Sequence, residues 1–212
     1  MSGTPNGHRD EAPEGRVALR RKRTEDEIVA AAWDLVHEHG LGSLSMRDLG
    51  DRVGMKAQSL YSYFASKNDI YDAMFGQAWT LFLAEMKDNL AGLPKAPREA
   101  VLAIAEQFYA FSLVSVARYQ LMNQHAIPGF TPSEASYAPS VEVMGLLRDT
   151  FHGLGITDSA DVDLFLALGG GLLDRQLANE PGGDRWLRQL PRVIDMFADD
   201  IGLPGPPLRR TS

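Results

Sequence analysis

Between residues 47 and 67 the chain gathers side chains suited to reading a nucleic acid. Gln58, Ser59 and Ser62 lie close together in sequence. A Gln amide pairs two-fold with the edge of adenine, and a Ser hydroxyl donates or accepts. Lys56 and the small Ala57 stand just before them, and Lys67 just after. Such a set divides the work: phosphate contacts fix position, and base-edge contacts fix sequence. Arg47 is placed to reach either a base or a phosphate.

These residues need short helices to hold them. Ser45 with Asp48 has capping-box spacing, and so has Ser66 with Asp69, each pair able to satisfy free N–H groups at a helix start. Gly54 supplies the turn between a helix that starts at Ser45 and a second that carries Gln58. Leu49, Val53, Leu60 and Phe64 are spaced to close a small core. This is the pattern of a helix-turn-helix. Thr24 with Glu27 has the same spacing, so the first helix is predicted to start at Thr24 and to end at Gly40, with Ile28, Ala31, Ala32, Leu35 and Val36 on one face. Lys67 falls in the first turn of a long helix, whose free N–H groups favour an anion.

The formal net charge is −7, from 21 Lys and Arg against 28 Asp and Glu. Such a balance argues against nucleic acid only if charge is evenly spread. Here Arg16, Arg20, Arg21, Lys22 and Arg23 precede the first predicted helix, and Arg47, Arg52, Lys56 and Lys67 follow. The acidic excess lies further along, in residues such as Asp158, Asp161, Asp163, Asp195, Asp199 and Asp200. There is no cysteine, which excludes disulfides, Cys-ligated zinc and thiol catalysis. No apolar run approaches the roughly 20 residues that span a bilayer, and no apolar signal core opens the chain. The expected location is the cytoplasm. The sequence holds no G-x-S-x-G, P-loop, dinucleotide-binding glycine run or H-E-x-x-H. Neither an enzyme nor a cofactor is expected. His37 and His39 lack convergent partners, so no metal site is expected.

No alternating strand pattern of useful length occurs, so the chain is predicted to be all-α, with about nine helices. Residues 1–23 read as a disordered basic arm, 24–72 as the helix-turn-helix domain, 73–203 as a larger helical domain and 204–212 as a disordered tail. Helices are expected at about 67–90, 98–115, 117–125, 140–153, 159–179 and 184–202, with a loop from Pro128 to Pro139.

Residues 24–75 resemble the DNA-binding domain of TetR-family transcriptional regulators. Thr24, Ile28, Gly40, Ser45, Arg47, Leu49, Val53, Gly54 and Met55 carry the likeness. Its most specific part is the run from Leu60 to Ile70, LYSYFASKNDI, similar to the family's L-Y-x-[HY]-F-x-[SN]-K-x-x-[LI]. Lys56 departs from the pattern, standing where the family often has a Ser cap. The segments Arg118–Met122, Ile127–Phe130 and Gln176–Pro181 look like one branch of TetR-type ligand domains. The resemblance implies that Tyr61, Tyr63 and Lys67 touch phosphates of double-stranded operator DNA. Packing alone is the alternative role for Tyr61 and for Tyr63. Arg47, Lys56, Ala57, Gln58, Ser59 and Ser62 complete the candidate surface.

The resemblance also implies a homodimer and a small-molecule effector. Candidates to line a pocket are Trp79, Phe82, Met86, Gln107, Phe108, Phe111, Tyr119, Met122, His125, Met144, Phe151, Leu173 and Gln176, although Met and aromatic residues suit a plain core equally well. Gly169, Gly170, Gly171, Trp186 and Leu190 are interface candidates. The glycines imply either close approach of another helix or a break in their own. The function expected is a repressor that an apolar ligand releases from a palindromic operator. An activator, or a helical carrier or enzyme without operator binding, shares the same sequence features.

Overall fold

A computed structural model describes residues 13–208. Among the described residues the chain is helical, with nine α-helices, two short 3-10 turns and no strand. It divides into two compact units, one through Met74 and one from Phe75. Among the described residues no single helix is long and apolar enough to cross a membrane.

The first unit contains α1 (Pro13–His39), a 3-10 turn (Leu41–Ser43), α2 (Met46–Val53), α3 (Ala57–Leu60) and the start of α4 (Lys67–Leu90). Ile28, Ala32, Val36, Leu49, Leu60, Ile70 and Met74 are fully or almost fully buried. The buried Tyr71 hydroxyl donates to the Leu41 carbonyl, and burial pushes its pKa up.

The helix start at Thr24 is corrected. α1 begins at Pro13, so residues 13–23 are helix and not arm. Thr24 lies mid-helix, and its hydroxyl donates to the Arg20 carbonyl. Three ion pairs at i,i+4 spacing bridge the expected boundary: Arg21–Glu25, Lys22–Asp26 and Arg23–Glu27. Good helix formers such as Ala18, Leu19 and Arg20 then carry the helix N-terminally. The rest of the expected arm, residues 1–12, and the tail residues 209–212 lie outside the described residues.

The second unit holds the remainder of α4, then α5 (Pro97–Val114), α6 (Val116–Asn123), α7 (Glu134–Gly153), α8 (Ser159–Asn179), a 3-10 turn (Leu187–Gln189) and α9 (Leu190–Asp200). Two more boundaries move. α7 starts at Glu134, within the expected loop, because the Ser133 side chain accepts from the Ser136 N–H and caps it. Pro139 therefore sits inside a helix. The last helix starts at Leu190 rather than near 184, with Pro191 in its first turn, where a missing N–H costs nothing. The expected tail is corrected as far as residue 208: Leu203 and Leu208 are buried, and the Leu208 N–H donates to both Asp195 oxygens at 3.0 and 3.1 Å.

Candidate nucleic-acid interface and ligand cavity

The turn that carries the polar segment is tightly constrained. The Asp48 N–H donates to Ser45 Oγ at 3.1 Å, and the Ser45 hydroxyl donates to Asp48 Oδ2 at 2.6 Å. α2 then ends on Gly54, whose φ of 69° is left-handed. The Met55 N–H bonds the Gly50 carbonyl at 2.8 Å. A Cβ on Gly50 would lie 2.7 Å from the Met55 carbonyl oxygen. Gly50 is thus the residue that lets the chain double back, and it was not legible in the sequence.

α3 is a single turn without a side-chain cap at Lys56. It continues as hydrogen-bonded turns: the Tyr63 and Phe64 N–H groups both donate to the Leu60 carbonyl at 2.9 Å. Leu60 and Phe64 anchor this segment in the core. What remains outside is polar. Lys56, Gln58, Ser59, Tyr61 and Ser62 are exposed, and Ala57 and Tyr63 half-buried. The Ser62 hydroxyl donates to the Ser59 carbonyl at 2.7 Å, so its oxygen is left chiefly as an acceptor. Arg47 is exposed near the start of α2.

Arg21 ties α1 to this segment. Its Nη2 donates to the Ser62 carbonyl at 2.9 Å, its guanidinium lies 5.2 Å from the centre of the Tyr63 ring, and its Nε pairs with Glu25 at 2.8 Å. A reading that placed Arg21 in an arm could not anticipate this. Arg52, counted among the available cations, is instead held by both Glu38 oxygens at 3.1 and 2.6 Å. That hydrogen bond lowers the Glu38 pKa and raises that of Arg52. At the other end, the Ser66 N–H donates to Asp69 Oδ2 at 2.9 Å and the Asp69 N–H to Ser66 Oγ at 3.2 Å, a reciprocal cap. This fixes Lys67 at the first residue of α4, with its Nζ 5.7 Å from the centre of the Tyr71 ring.

The second unit encloses a cavity of about 400 Å³, within the usual range for small-molecule sites. Of the pocket candidates, Trp79, Phe82, Met86, Gln107, Phe108, Tyr119 and Met144 line it. The others do not. Phe111 is buried against Phe82, with ring centres 5.0 Å apart. Phe151 and Leu173 are plain core. Met122 and His125 line a second cavity, of about 450 Å³, beside Phe130 and Tyr137. The buried Gln176 accepts the Trp186 N–H at 2.9 Å and so holds the loop after α8.

Of the interface candidates, Leu190 alone is enclosed by its own chain. α8 runs unbroken through Gly169, Gly170 and Gly171, and no atom lies within 4 Å of a Cβ built on any of them. All three line the first cavity. Leu190 is 2% exposed and belongs to the core of its own chain. Trp186 is half-buried under the Arg185 guanidinium.

A helix-turn-helix on an all-helical frame is an architecture used to present a helix to DNA. Residues 28–74, the helix-turn-helix segment, match the family model "Bacterial regulatory proteins, tetR family". An HTH-type transcriptional regulator of Saccharopolyspora erythraea is 39% identical over 69 residues, 31% of this chain. The matched stretch covers 29% of that relative's length. The fold is shared with a protein of unknown function from Rhodococcus sp. RHA1, at TM-score 0.69 and 18% identity over 85% of this chain and 95% of the other. It is also shared with a TetR variant from Acinetobacter baumannii AYE, solved in complex with minocycline, at TM-score 0.54 and 20% identity over 84% and 95% of the two chains.

Proposed function

We propose that this protein is a homodimeric repressor that binds a palindromic operator and is released by a small, mostly apolar ligand. The observation that carries the reading is the α3 segment. Its apolar side is anchored by Leu60 and Phe64, its carbonyl is held by Arg21, and its outer side presents Gln58, Ser59 and Ser62. Leu60 and Phe64 account for packing, which leaves the polar side for recognition. Tyr61, 52% exposed, and Lys67 stand beside it for phosphate contacts.

The cavity supports the ligand, which must favour one conformation over another to lower operator affinity. The dimer reading rests on α8 and α9. Leu164, Leu168 and Met196 are 38%, 36% and 63% exposed and line one groove with Val193 and Phe197. A second copy covering this groove would bury them.

Binding-site selection with the purified chain, followed by gel-shift titration at several salt concentrations, tests the reading. A short inverted repeat is expected, with half-sites about one helical turn apart. No enriched motif would sink it. Lys67→Ala should weaken binding to every sequence and flatten the slope of log K against log salt by about 0.9; an unchanged slope removes Lys67 from the phosphate contacts. Gln58→Ala should change the selected motif more than the non-specific affinity. Arg21→Ala should lower operator affinity about two- to fivefold, the value of a lost hydrogen bond, with the motif unchanged. A changed motif would make Arg21 a reader rather than a support.

A further inference from the structure

The first cavity has a polarity that selects among ligands. Its wall is mostly aromatic and aliphatic, yet two of its lining residues, Trp79 and Gln107, carry side-chain donors, Nε1 and Nε2, that are buried and meet no acceptor among the described residues. A buried donor left unmet is costly, so a small turn of either side chain towards an acceptor held in the cavity is favourable. The acceptors on the wall are differently placed. Asp174 Oδ1 already receives the Tyr119 hydroxyl at 2.8 Å and the Gln124 amide at 2.9 Å, and the Tyr109 hydroxyl donates to the Gly169 carbonyl at 2.6 Å. The one formally charged lining residue among the described residues is therefore an anion with one oxygen, Oδ1, engaged. Among them no Lys, Arg or His lines the cavity.

We infer that this cavity takes uncharged, flat aromatic compounds bearing carbonyl or ether oxygens, with Trp79 and Gln107 donating to those oxygens. The inference rests on the reading of the cavity as the effector site. A carboxylate or phosphate on the ligand is disfavoured twice. It finds no cation on the wall, and Asp174 repels it. A hydrocarbon of the same shape fills the volume but leaves both donors unmet. Phe82 and Phe108, with ring centres 5.7 Å apart and edge-to-face, provide the aromatic contact.

The test uses the full chain and three probes: flavone, whose carbonyl and ring oxygen both accept; flavan, which lacks the carbonyl; and a flavone bearing a carboxylate. Binding is read by calorimetry and by quenching of Trp fluorescence. Flavone should bind at least fivefold more tightly than flavan, and the carboxylate more weakly than flavone. Gln107→Leu, nearly the same size, should cost flavone about fivefold and cost flavan, which keeps only the ring oxygen, less. Trp79→Phe should act in the same direction, and thermal melts of both variants separate lost donors from lost folding. Equal binding of flavone and flavan, a preference for the carboxylate, or failure of flavone to bind overturns the inference. Gel shifts on the selected operator separate the two readings. If flavone binds as described but the DNA complex is unaffected, the ligand class stands and ligand-released repression falls.

Discussion

Arg98→Met is expected to lower stability by about 3 kcal/mol, the cost of stranding a buried charge, and to bring the melting temperature down by roughly 6–12 °C. Arg98 leaves α5 and reaches α9 and the segment that follows it. Its Nη2 lies 2.7 Å from Asp199 and its Nη1 3.5 Å from Asp195, while Nε and Nη2 donate to the Leu203 carbonyl at 3.1 and 2.9 Å. The Arg98 side chain is 10% exposed and that of Asp195 14%. Removing the cation leaves the Asp195 carboxylate in a site with little water, and one buried carbonyl without its donors. Asp199, 70% exposed, can turn to solvent and contributes little. Urea unfolding of the single variant and of Arg98→Met with Asp195→Asn checks the assignment. Partial recovery in the double variant is expected, since a neutral amide removes the stranded charge and still accepts from the Leu208 N–H. A single variant as stable as the parent would show that the Arg98–Asp195 pair contributes nothing net.

Gly50→Ala carries the second large effect, and it strikes the other unit. The new methyl would meet the Met55 carbonyl oxygen at 2.7 Å and the Ala57 nitrogen at 3.3 Å. Both are backbone, so neither can swing aside as a side chain would. The α2–α3 turn must open, at about 2–3 kcal/mol by the usual cost of overpacking, and α3 must move with it. Operator affinity should then fall even where the protein remains folded. Gly54→Ala is the matched control. Its φ of 69° is strained for alanine, but the space around it is open, so the cost is about 1 kcal/mol. Chemical denaturation followed by a gel shift ranks the two. Equal losses would mean that the turn yields to the methyl.

The capping devices were legible because their chemistry is local. Ser45 with Asp48 and Ser66 with Asp69 need only the next turn of chain, and Gly54 needs only its own φ. The same spacing misled at Thr24, where three successive ion pairs and a run of helix formers carry α1 through the apparent cap. Gly50 was illegible because its reason is tertiary: only the returning chain at Met55 forbids a Cβ. Phe82 and Phe151 show the limit for the cavity. Each is an aromatic on an apolar helix face, yet one lines the space and the other is closed in by Phe165, with ring centres 4.9 Å apart. Periodicity reports which side is apolar, not whether that side is filled. Leu190 shows the same limit for interfaces, since a residue expected at a surface is enclosed by its own chain.

The three glycines of α8 set a trade that the chain has resolved in one direction. Each costs a helix interior about 1 kcal/mol relative to alanine, and each could accept a methyl group without a clash. Alanines at 169, 170 and 171 would strengthen the helix and thicken the wall of the cavity at once. This protein keeps the weaker helix and the larger space. At these three positions, cavity size and helix strength are therefore set by the same substitution, Gly→Ala.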